Sequence, residues 1–402
     1  MATDIQFIPD GTVTSARGFT AGAAFAGINR HSKYNLDLGI LFSETPCTTV
    51  GVFSANKMKA APVLLCQQRL PTDGIRALVT NSGCANAGTG RQGLEDAAAM
   101  MQAAAGRAGV PVEAMLIAST GVIGKRLPLN EIKETINKVE LSADGGHSLA
   151  KAIMTTDTIP KEAAVKVGGK YTIGGVAKGS GMIHPQLGTL LCFLATDASV
   201  DSDCLKTALE EATDVSFNMV SIDGDTSPND TLLLLANGLA GNNIIKQGSK
   251  EADEFQEGLN LLCIHLAKAI AADGEGACRL IEVSVNGAAD IADARAAAKT
   301  IVGSPLVKTA VHGSDPNWGR ILAAAGRSGA NFAEDKLDLY IGDVCLIKGG
   351  KPLPFDEQKA IGALNNKTVC IKLNLNLGEA AATAWGCDLS EEYVYINSRY
   401  TT

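Results

Sequence analysis

A mixed α/β fold is predicted by two periodicities that take turns along the 402-residue chain. In several short runs apolar residues recur at every second position, the period of a strand with one face on a core. Elsewhere they recur at spacings of three and four, which lines up one side of a helix. The two kinds of segment are interspersed, which argues for α/β or α+β and against all-α or all-β.

In chain order, residues 76–80 form the first strand-like run and lead into a polar, glycine-dense stretch at 81–93. Residues 94–108, rich in Ala and Met and bracketed by Gly93 and Gly109, read as a helix. A second strand-like run at 171–177 opens onto another polar stretch at 178–189, and the unbroken apolar run 190–195 follows as a strand. Leu205, Ala208, Leu209 and Ala212 mark a short amphipathic helix. Phe255, Leu259, Leu262, Cys263, Leu266 and Ile270 mark a long one. Leu337, Leu339 and Ile341 alternate with polar neighbours, as do Ile371, Leu373, Leu375 and Leu377, so two further strands are expected. Loops at strand ends commonly carry function, which directs attention to 81–93 and 178–189.

Composition narrows the function. Apolar residues make up 46% of the chain, and 43 glycines against about 7% in an average protein imply many tight turns. A net charge of −8 without a Lys/Arg run makes nucleic acid a poor partner. No apolar run approaches the roughly 18 residues of a membrane span, and the first residues lack the pattern of a signal peptide, so a cytosolic protein is expected. The ten cysteines never lie closer than twelve positions, which gives neither CxxC nor finger-like metal spacing. They read as reduced and mostly buried.

Several motifs fail on physical grounds. Gly88, Gly90 and Gly93 satisfy GxGxxG, with Glu113 twenty positions on, but seven residues separate Gly88 from the preceding strand-like run. A dinucleotide fingerprint needs its first glycine at the strand-to-helix turn, so a nucleotide-binding module is a distant alternative. Asp223, Asp225 and Asp230 in SIDGDTSPND lack the spacing of an EF-hand and read as turn-closing residues. No HxxxH or GxSxG is present. What remains is the segment from Lys178 to Thr189, running into the apolar strand. A Gly188-Thr189 bond there is a candidate for self-cleavage, because the Thr hydroxyl can attack the preceding carbonyl. Cleavage would free an α-amine with a pKa of about 7.7 to 8.0, a base at neutral pH where lysine at about 10.4 is not.

The stretch KGSGMIHPQLGTLLCFLATDA resembles the signature of the ornithine acetyltransferase family, self-cleaving N-terminal-threonine enzymes also called arginine-biosynthesis glutamate N-acetyltransferases. Further blocks match in order: NSGCANAGTG, STGVIGKRLP, MTTDTIPK, SIDGDTSPND, GEGA, HGSDPNWGR and a terminal YINSRYTT. They run the length of the chain. His184, Gln186, Leu187 and Gly188 depart from residues frequent in the family, while the Lys and the Thr stay in place.

The resemblance implies a layered αββα core with a smaller C-terminal α/β lobe from about residue 280, and chains 1–188 and 189–402 associated as α₂β₂. It implies Thr189 as nucleophile and base, and Thr120 with Gly121 as an oxyanion hole. Thr155, Lys178, Glu275, Asn397 and Thr402 match substrate-binding positions, with Thr155 and its neighbour Thr156 not separable. The implied reaction is ping-pong acetyl transfer from N-acetylornithine to glutamate in arginine biosynthesis, with no metal or organic cofactor. Many relatives also accept acetyl-CoA, and no residue here decides between one activity and two. A related N-terminal-threonine amidase or aminopeptidase, releasing the acyl group to water, is the alternative.

Overall fold

The computed structural model describes residues 3–184 and 190–399. Among them, strands fall into two sheets with helices packed against both. The larger sheet has nine strands. It runs Ile5–Phe7, Lys161–Val167, Tyr171–Lys178, Leu191–Thr196, Thr231–Ala236, Leu38–Phe53, Thr72–Asn81 and Met115–Ser119, with Phe19–Ala24 also paired to Leu38–Phe53. The mixed α/β class expected from the two periodicities is what the chain adopts.

Two parallel pairs organise this sheet. Thr72–Asn81 lies parallel to Met115–Ser119, and Leu191–Thr196 parallel to Thr231–Ala236. A parallel pair needs a long crossover. The first is carried by the helix Gly90–Ala108 and the second by the helix Ser202–Val215. Leu191–Thr196 is buried at all six positions. Cys192 and Leu194 join a core with the helix Lys250–Ala272, while Leu191, Phe193 and Ala195 join the core on the opposite face. Cover on both faces explains why this strand reads as an unbroken apolar run.

The expected helices extend to their physical stops. Lys250–Ala272 begins after Ser249, whose side chain accepts from the Ala252 amide, and carries Glu251 and Asp253 in its first turn. Its six marked apolar residues are all buried. Gly90–Ala108 starts four residues before the apolar stripe and ends where Gly109 takes a left-handed φ of 66°.

The second sheet has seven strands: Lys351–Pro352, Val344–Lys348, Asp338–Ile341, Thr368–Asn374, Leu280–Ala288, Ala380–Cys387 and Val220–Ser221. Alternation near its centre continues to Leu377, but the strand stops at Asn374. Its neighbour Leu280–Ala288 bulges against Ala380–Cys387 between Val285 and Ala288; the Leu375 amide still donates to the Asn286 carbonyl, but the amides of Leu377 and Gly378 both turn to the Gly287 carbonyl.

Candidate active site

Three glycine-containing loops at strand ends knit the floor of a small pocket. Thr120 follows directly on Met115–Ser119, and its amide donates to the Asn81 carbonyl at 3.0 Å. Gly121 holds φ at 122°, and a Cβ there would lie 2.4 Å from the backbone carbon of Gly83. Only glycine fits this crossing of loops 81–85 and 119–122. Asn229 fastens them from a third segment, its amide nitrogen donating to the carbonyls of Ala85 (2.6 Å) and Ser119 (2.8 Å).

Lys178 closes the strand Tyr171–Lys178 and pairs in register with Leu191. Its side chain is buried, and Nζ donates to Thr120 Oγ1 at 3.3 Å. Burial pushes the Lys178 ammonium below its ordinary range, while the carboxylates of Asp157, Glu275 and Asp230 pull it back up. On the other side of the pocket, Asn397 in the helix Glu391–Arg399 donates to Glu275 Oε2 at 2.7 Å. The Glu275 amide in turn donates to the Ser180 carbonyl at 2.8 Å.

Thr120, Gly121, Thr155, Lys178, Glu275 and Asn397, drawn from across the sequence, therefore line one cavity of about 80 Å³. Thr156 lines it too, with its hydroxyl 2.6 Å from that of Ser180. Thr155 differs in also facing a second cleft of about 390 Å³, which shares Gly121 and is lined by Arg30, His31, Lys125 and Arg126. Gly188, Thr189 and Thr402 lie outside the described residues. Leu190 donates its amide to Asp230 Oδ1 at 3.0 Å. Burial pushes the Asp230 carboxyl well up, against the Leu190 amide, the Ser54 hydroxyl and the Lys178 charge.

A charged layer beneath the pocket escaped the sequence reading. The Lys161 ammonium is fully buried between Asp157 (2.7 Å) and Asp273 (2.6 Å). Asp157 also accepts from the amides of Gly179 (2.8 Å) and Thr155 (3.0 Å), which ties the charge layer to both walls of the cavity. Burial alone would raise Asp157, but Lys161 and Lys178 hold it well below the usual carboxylate range. Asp157 and Lys161 stand in the quoted MTTDTIPK block. Their role was hidden because Asp273 is 112 positions away.

The motifs set aside earlier have structural work. Asn86 accepts from the Thr89 hydroxyl and donates to the Gly93 carbonyl, both at 2.8 Å, holding the turn that contains Gly88 and Gly90. Asp223 accepts from the amides of Met182 (2.5 Å) and Ile183 (2.9 Å), closing the loop over the pocket rim. Seven of the ten cysteines are buried, and Cys278 is exposed. Among the described residues no helix is long and apolar enough to cross a membrane.

A family model described as the ArgJ family matches residues 20–402. The chain belongs to the ArgJ family. It is 54% identical over 405 residues to the arginine biosynthesis bifunctional protein ArgJ of Dehalococcoides mccartyi, covering 100% of both chains. It is 51% identical to the protein of that name from Symbiobacterium thermophilum, over 98% of this chain and 99% of the relative. A crystal structure of ArgJ from Bacillus halodurans aligns at a TM-score of 0.51 and 44% identity, over 52% of this chain and 98% of that one.

Proposed function

We propose that this chain is the acyltransferase of arginine biosynthesis that carries acetyl from N-acetylornithine to glutamate through an ester on Thr189. The observation that carries this reading is the meeting of Thr120, Gly121, Lys178, Glu275 and Asn397 in one small polar cavity, with Lys178 paired in register with Leu191, two positions after Thr189. Family membership supports the same chemistry.

In this account self-cleavage between Gly188 and Thr189 gives chains of 188 and 214 residues that assemble as α₂β₂ in the cytoplasm. The Thr189 hydroxyl attacks the acetyl carbonyl while its α-amine takes the hydroxyl proton. The oxyanion that forms accepts from the Thr120 hydroxyl and the Gly121 amide. Lys178 donates to Thr120 Oγ1, which leaves the threonine's single proton for the oxyanion. The α-amine of ornithine departs with the proton held by Thr189, and the acetyl ester remains. Glutamate's amine then attacks the ester through the same steps in reverse. Lys178 and Glu275 supply one charge of each sign for amino-acid substrates, with Thr155, Asn397 and Thr402 completing the binding set. The chemistry calls on no metal or organic cofactor. The adjoining cleft with Arg30, His31, Lys125 and Arg126 favours acetyl-CoA as a second donor, because its phosphates need cations beside the oxyanion site.

Incubation with N-acetylornithine, with and without glutamate, tests the reading. N-acetylglutamate should appear in step with ornithine. Free acetate as the main product with glutamate present would make the protein an amidase.

A further inference from the structure

Close to the loop that carries Glu275, three side chains of types that can ligate a metal converge from segments far apart in sequence. Cys278, His312 and Asp388 each offer one donor atom within 4.8 Å of the other two. Cys278 lies three residues past Glu275, His312 ends the helix Pro305–His312, and Asp388 follows the strand Ala380–Cys387. Gaps of 34 and 76 residues hid the cluster from any spacing rule.

Its geometry is organised. The Asp388 side chain is fully buried, with Oδ2 2.8 Å from His312 Nδ1. Asp388 Oδ1 accepts from the amides of Cys278 and Arg279, both at 2.8 Å, which fixes the carboxylate. The other ring nitrogen of His312 faces Glu391 Oε2 at 3.4 Å. The Cys278 thiol is exposed and within reach of solutes.

We propose that Cys278, His312 and Asp388 bind a zinc-class divalent cation, which clamps the C-terminal helix onto the loop that carries Glu275. Sulfur, imidazole and carboxylate together are the donor set of zinc rather than of magnesium or calcium. Three protein ligands leave a fourth, tetrahedral position for water. The cation takes the place of the proton between His312 Nδ1 and Asp388. The proton displaced from Nδ1 passes to Nε2, toward Glu391, and the thiol proton leaves to water. A carboxylate on the far nitrogen of a ligating histidine is the usual outer partner of such a site.

The clamp bears on the pocket through short links. Ser390 donates to the Gly276 carbonyl at 2.6 Å, and Glu391 opens the helix whose Asn397 reaches Glu275. Tying residues 278, 312 and 388 together therefore holds that helix against the loop.

Untagged, chelator-treated protein titrated with Co²⁺ and with Zn²⁺ tests the site. The wild type should bind one equivalent per chain, cobalt should show a thiolate charge-transfer band, and zinc should raise the melting temperature. Cys278→Ser should lose the band, and His312→Gln should weaken binding by about tenfold or more. A wild type that takes up no equivalent, a cobalt spectrum without sulfur ligation, or uptake equally tight in both variants would overturn the proposal.

Discussion

Thr120 has a single proton to donate, and Lys178 occupies its oxygen as acceptor at 3.3 Å. Thr120→Ala removes the proton and leaves the buried ammonium short of an acceptor. Turnover should fall by about 10² to 10³, the usual cost of one oxyanion donor, with the melting temperature changing far less. Unchanged kcat would take Thr120 out of the chemistry. Asp157 tests the layer below. Asp157→Asn leaves Lys161 and Lys178 buried with less counter-charge and should cost about 3 to 5 kcal/mol in denaturant unfolding. The same layer sets a pH window. Asp157 has a folded pKa below its ordinary 3.8, so its contribution is complete above that value and is lost as pH falls through the lower one. For Lys161, raised above 10.5 against the penalty of burial by its two carboxylates, the contribution is complete below 10.5 and is lost at higher pH. Lys178, depressed by burial, works in the opposite sense and gains stability as pH rises toward 10.5. Unfolding free energy measured against pH should therefore fall more steeply on the acid side in wild type than in Asp157→Asn.

At the scale of elements, regular periodicity was legible and local interruptions were not. The stripe from Phe255 to Ile270 foretold a helix because six apolar residues on one side fix both its type and its buried face. The strand Thr368–Asn374 ends three residues before the alternation does, because the irregularity beside its end lies in its partner, 88 positions away at Asn286 and Asn374. The pocket was legible only as separate loops. Gly-dense stretches after strands announced 81–93 and 178–189, whereas Glu275 and Asn397 carried no local signal and entered through resemblance. The buried Lys161 between two aspartates was unreadable, since a charge in sequence looks like a solvated one until its partners are known. A single glycine tests how these elements meet. A Cβ on Gly181 would lie 2.5 Å from the Glu275 carboxyl. Gly181→Ala should push Glu275 off Asn397 and raise KM for the amino-acid substrates by more than it lowers kcat, as steady-state kinetics would show. Equal loss in both constants would place the clash on the reacting groups instead.

At the scale of the molecule, the larger sheet brings Lys178 and Leu191 side by side in one layer. The strand that ends at Lys178 pairs with the strand that begins at Leu191, and Thr231–Ala236 lies beside the latter, one residue after Asp230. Wild-type protein should run on a denaturing gel as two species, and Thr189→Ala as one. If the freed amine of Thr189 is the base, kcat/KM should fall toward acid as that amine protonates. The most direct measurement is the mass of the chains after brief reaction with N-acetylornithine in the absence of glutamate. One acetyl group should sit on the chain beginning Thr-Leu-Leu-Cys-Phe, mapped to Thr189, and should leave as N-acetylglutamate when glutamate is added. An acetyl group mapped to a cysteine such as Cys192 or Cys278, or an active wild type that remains a single uncleaved chain, would contradict transfer through Thr189.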